Sequence, residues 1–115
     1  MRTLKHIEEC ITVYKKKLNL VKEGWKITLS CNEDIDNVKE TDIHMTASYN
    51  PSTKVADIEV YTDKEAMTQL KNLDEMVIHE LLHLKFWFMD INDEPLNCIL
   101  VEQLINEFAP LICNE

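Results

Sequence analysis

Two histidines and a glutamate carry the chemistry this chain can be expected to do. His79, Glu80 and His83 stand in the run His-Glu-Leu-Leu-His. On an α-helix, residues four apart lie on one face, a single turn apart. Two imidazoles so placed can share one tetrahedral Zn²⁺, each at ~2.0–2.1 Å. Glu80 follows the first of them and projects near the ion without being forced onto it. It can take a proton from metal-bound water and pass it to a leaving amine. The sequence around the motif, from Met76 to Phe88, is strongly apolar. Polar side chains set in such a helix are costly to bury without a purpose. The plainer alternative is a surface helix whose two histidines are merely satisfied, and it fits that setting less well.

A catalytic zinc ion wants a third protein ligand and one open position. No histidine follows His83, and His6 lies far back in the chain. The acidic candidates downstream are Asp90, Asp93, Glu94, Glu102 and Glu107. At ~100° per residue, Glu102 shares a helix face with Cys98, Ile105, Asn106 and Ala109. A carboxylate on so apolar a face needs a partner, and a cation supplies one. Glu107 lies with Gln103 on a more polar strip that reads as solvated surface. Asp90, Asp93 and Glu94 read as connector and cap residues. Glu102 is the preferred third ligand, with Asp90, Asp93 and Glu107 as the alternatives.

The pattern His79-Glu80-x-x-His83, then eighteen residues, then Glu102 resembles that of the gluzincin peptidases, the thermolysin-like and aminopeptidase-like zincins. The stretch from about Tyr49 to Ala109 carries the likeness, and the chain is similar to the small zincins of bacterial and phage-like genomes. The resemblance implies a minimal zincin-like domain holding one Zn²⁺ per chain. It implies hydrolysis of a peptide bond by a zinc-bound water that Glu80 activates. Thermolysin-like members carry an aspartate four residues after the ligand glutamate, which orients a zinc histidine. Asn106 stands at that position and keeps an acceptor oxygen without the charge. Zincins bind substrate as an added strand along a sheet edge. Many also supply a Tyr or His as a second oxyanion donor after the metal helix. This chain has neither after His83, so His44, Tyr49 and Tyr61 are the residues left to do it. The competing reading is a zincin-like module that holds zinc and binds a partner peptide or protein without cleaving it. A metal-free interaction protein is a third. So little chain remains to build a specificity cleft that a larger protein partner completing it is expected.

The elements that must position these groups are legible from periodicity. Residues 3–22 repeat apolar side chains at three- and four-residue steps, which predicts a helix stopped by Gly24. Residues 25–31 alternate apolar and polar, as a half-buried strand does. Residues 32–42 are polar and acidic and read as loop. Residues 44–49 and 55–61 are strands joined by the turn Asn50-Pro51-Ser52-Thr53-Lys54, with Ala56, Ile58 and Val60 facing the core. A short helical piece over 64–71 precedes the main helix, 73–88. Asp93 and Pro95 suit the start of a last helix that ends near Phe108, before Pro110. The fold class is α+β, one domain over 1–115: an N-terminal helix, a small three-stranded mixed sheet with a hairpin edge, the active-site helix and a C-terminal helix.

Composition narrows the setting. With 45% hydrophobic and 29% charged residues, the 115-residue chain is an ordinary globular one with a modest core. Its net charge of -9 argues against a nucleic-acid partner. The one basic run, Lys15-Lys16-Lys17, reads as a solvated helix face. No apolar run approaches the ~20 residues of a membrane span, and the first residues lack a secretory h-region. The cysteines, Cys10, Cys31, Cys98 and Cys113, form no Cys-x-x-Cys pair, so no cysteine-based zinc site is suggested. The first three sit in apolar patterns and read as core residues. All four read as reduced thiols of a cytoplasmic protein.

Overall fold

The computed structural model describes residues 3–63, 72–89 and 95–114. The expected helical piece over 64–71, and the ligand alternatives Asp90, Asp93 and Glu94, lie outside these.

Helix α1, Thr3–Lys17, buries Ile7, Cys10 and Ile11, spaced three and four apart. It stops well short of Lys22. Asn19 takes a left-handed backbone, φ 62°. The Leu20 N–H then bonds back to the Lys15 carbonyl and the Asn19 N–H to that of Lys16. These are the paired bonds that satisfy the last carbonyls of a helix in a Schellman cap. Leu20, just past the cap, is fully buried and anchors it. Gly24 has a separate role. At φ 94° it turns the chain into the first strand.

Strands β1 (Lys26–Cys31), β2 (Ile43–Asn50) and β3 (Val55–Thr62) form a mixed sheet in the order β1-β3-β2. β1 runs parallel to β3, with Leu29 opposite Ile58. β2 runs antiparallel to β3, with Ala47 opposite Ile58 and His44 opposite Tyr61. Ala56, Ile58 and Val60 are buried, and so are Ile43 and Met45. One face of the sheet therefore meets the helices. The alternate side chains belong to the other face. There Asp57 accepts hydrogen bonds from the hydroxyls of Thr28 and Ser30, at 2.7 and 2.8 Å.

Helix α2, Leu73–Lys85, begins at Asn72, whose side chain accepts the Glu75 N–H at 2.8 Å. An asparagine in extended backbone at this position is a favoured N-cap. α2 is the middle of the molecule. Val77, Leu81 and Leu84 are buried against the sheet and α1, while Ile78 and Leu82 are buried against the next helix. It ends at Lys85, and a 3₁₀ turn, Trp87–Met89, follows where a continuous helix was expected. Trp87 packs on the core, and the Lys54 ammonium lies 5.4 Å from its ring centre and 5.0 Å from that of Trp25. Lys54 reaches this place from a left-handed turn residue, φ 58°.

Helix α3, Pro95–Cys113, runs through Pro110 rather than ending before it. A proline inside a helix removes one i→i−4 bond and can cost ~3 kcal/mol. The carbonyl left unpaired belongs to Asn106, which is exposed and can be solvated. The last turn keeps Ile112 and Cys113 packed on the cluster of Ile78, Leu82, Val101, Ile105 and Ala109, which offsets the loss. Among the described residues no helix is long and apolar enough to cross a membrane.

Candidate metal centre

The packing of α3 on α2 sets the site. Val101, Ile105 and Ala109, four residues apart, are buried against Ile78 and Leu82. This stripe is rotated by one residue from the face expected to hold Cys98, Glu102 and Asn106, and all three of those residues are exposed. Glu102 stands at the rim of the buried stripe with 49% of its side chain exposed. Its carboxylate faces α2 there. Oε1 lies 2.8 Å from Nε2 of His83, and Oε2 lies 3.5 Å from Nε2 of His79. The two imidazoles stand edge to face, their centres 5.2 Å apart.

Three ligand atoms thus converge, all within 4.8 Å of one another. In a tetrahedral zinc site, two N or O ligands at ~2.0–2.1 Å are separated by about 3.3 Å. The observed separations of 2.8 and 3.5 Å bracket that value. Small side-chain movements would therefore suffice to admit an ion. Metal-ligating histidine must be neutral. Burial holds the His79 imidazole below its usual pKa, although the Glu102 carboxylate pulls the other way. Two imidazoles and one carboxylate are a donor set that zinc accepts, and they leave one position of a four-coordinate shell unfilled by the protein.

Glu80 sits between the helix and the sheet. Burial, with the Glu102 charge adding to it, raises its pKa to about 8. The nearby Ala47 backbone N–H opposes that shift. Ala47 belongs to β2, at the edge of the sheet. The acid therefore lies beside the edge strand of the described sheet. No side-chain pattern could have signalled it, because the group involved is a main-chain amide.

The remaining candidates are not gathered at this point. Asn106 is exposed, and Nδ1 of His79 is buried without a hydrogen-bond partner among the described residues. No described residue therefore orients that ring in the way the resemblance implies for a zinc histidine. His44 and Tyr61 stack on each other, centres 5.9 Å apart. Both belong to the sheet face opposite the one on which α2 packs. Tyr49 is on the helix side but meets Trp25 edge-on, centres 6.0 Å apart. Glu107 is exposed, as its polar strip implied. Among the described residues, one other group brings three ligand atoms equally close: His6, Cys10 and Asp74. No protein-family model, curated protein or solved structure matches this chain.

Proposed function

We propose that the chain is a zinc-dependent peptidase of minimal zincin type. His79, His83 and Glu102 hold one Zn²⁺, and Glu80 is the base for a water that attacks a peptide carbonyl. The observation that carries this reading is the convergence of both Nε2 atoms on the Glu102 carboxylate, with Glu80 close by, near the Ala47 amide of the edge strand. When bound, the ion polarises the carbonyl and lowers the pKa of its water. The chain's own residues do the rest. Glu80, next in the chain to His79 and close to the Glu102 carboxylate, is the group placed to take the proton of that water. β2 offers a main-chain edge along which an extended peptide or protein substrate pairs as an added strand. Four free thiols support a cytoplasmic setting.

A second reading has one observation in its favour. His44 and Tyr61 face away from α2 and Tyr49 lies against Trp25, so among the described residues no side-chain donor for a second oxyanion contact is gathered at the site. A zinc-holding module that binds a partner peptide along β2 needs no such donor.

Zinc-loaded protein incubated with a peptide library separates the two. Glu80→Gln is expected to keep the zinc and lose at least about 100-fold in cleavage rate. Cleavage retained in that variant rejects Glu80 as the base. Bound zinc with no turnover by the native chain selects the binding module.

A further inference from the structure

A second group of metal-type ligands lies away from the site above, between α1 and the start of α2. His6 and Cys10 stand one turn apart on α1. Asp74 is the second residue of α2. Nε2 of His6 is 2.6 Å from Oδ1 of Asp74 and 3.5 Å from Sγ of Cys10. The arrangement is composed like a Cys-His-Asp catalytic triad, but its geometry excludes that role. A triad uses both ring nitrogens, one for the nucleophile and the other for the carboxylate. Here both contacts fall on the same nitrogen. The thiol is also poor as a nucleophile, since burial and the neighbouring Asp74 push it up to about 12.

Three ligand atoms pointing at one spot suit a cation instead. Tetrahedral zinc with Zn–N at ~2.05 Å and Zn–S at ~2.3 Å separates nitrogen from sulfur by about 3.5 Å. The observed Nε2–Sγ distance is 3.5 Å. The Nε2–Oδ1 pair must open from 2.6 Å to about 3.3 Å, as an ion takes the place of the proton now bridging it. A pocket of about 210 Å³ lined by His6, Glu9, Cys10, Val13, Tyr14 and Asp74 opens the cluster to solvent.

We propose that His6, Cys10 and Asp74 form a second site for a thiophilic divalent cation such as Zn²⁺, with its fourth position open to water through this pocket. Binding releases the Cys10 thiol proton to solvent, and the proton between His6 and Asp74 passes to Nδ1 of the imidazole. One thiolate, one carboxylate and one neutral imidazole then stay on the ion. The site fastens the first helix to the N-terminus of α2. It does not depend on the function proposed above, because none of its ligands is shared.

Cobalt(II) titration of the reduced full chain tests it. The His79–His83–Glu102 set contains no sulfur, so that site cannot give a thiolate-to-cobalt charge-transfer band in the near ultraviolet, whereas one holding Cys10 can. Two cobalt ions per chain and that band are expected. His79→Ala should lose one ion and keep the band. Cys10→Ser should lose one ion and the band together. His6→Gln changes a half-exposed side chain and should do the same without disturbing the core. A titration that saturates without the band overturns the proposal. So does a band that survives both Cys10→Ser and His6→Gln.

Discussion

The behaviour of Glu80 follows from where its carboxyl group lies. Burial and the Glu102 charge raise its pKa from 4.5 to about 8 in the metal-free fold. The folded state then binds more protons than the unfolded state between those values, so stability falls as pH rises from about 4.5 to about 8. The stabilising contribution is fully present below the unfolded pKa and is gone above the folded one. Glutamine has the same shape and no charge to desolvate. Metal-free Glu80→Gln should therefore melt several degrees above the native chain at pH 8, and at nearly the same temperature at pH 4.5. Calorimetric scans in the presence of a chelator measure this, and equal melting temperatures at pH 8 would show that the carboxylate is solvated. The motif itself was legible because two histidines and a glutamate at helical spacing stand out in an apolar segment. The Ala47 amide and the His6–Asp74 pair were not. One is a backbone group, and the other joins residues 68 apart in sequence, a proximity that only the docking of α1 on α2 creates.

At the level of helices and strands, alternation and periodicity located the sheet and the three helices that the structure describes. They did less well at the ends. The apolar repeat of α1 continues through Leu18 and Val21, but Asn19 turns left-handed and closes the helix at Lys17. A left-handed residue bearing a β-carbon costs ~1–2 kcal/mol, and asparagine tolerates it better than most. Asn19→Ala should therefore destabilise by about 1 kcal/mol, lowering the melting temperature by roughly 4 °C. Asn19→Gly should stay within about 0.5 kcal/mol of the native chain. Equal effects of the two in thermal denaturation would assign the helix end to something other than Asn19. Glu102 gives the same lesson in another form. Its position on a wheel placed it inside an apolar face, but the stripe that docks on α2 is Val101, Ile105 and Ala109. A wheel fixes the relative angles of residues and leaves open which face the rest of the protein will cover. Cys98 falls in the same apolar pattern, which reads as core, but it is exposed. Pro110 read as a stop signal, but packing beyond it carries the helix on to Cys113.

Taken whole, the molecule is arranged around α2, with α1 and α3 against its flanks and β2 along the remaining side. Both groups of convergent ligands bridge α2 to a neighbouring helix. A cation that binds the folded chain and not the unfolded one stabilises it by an amount set by its concentration relative to Kd, ~4 kcal/mol at a thousandfold excess. Saturating zinc should raise the melting temperature by more than about 10 °C, with a chelator reversing the rise. Calcium, which prefers all-oxygen shells, should leave it unchanged. No response to zinc would mean that neither cluster closes on an ion. The Lys54 ammonium over both indoles has a use of its own. Trp25 and Trp87 are the only tryptophans in the chain. One opens the sheet, and the other stands four residues past His83. Indole emission responds to a nearby positive charge, so any shift of this lysine as α2 adjusts should change the intrinsic fluorescence. The protein therefore carries its own optical probe, and ligand occupancy can be followed in unlabelled material.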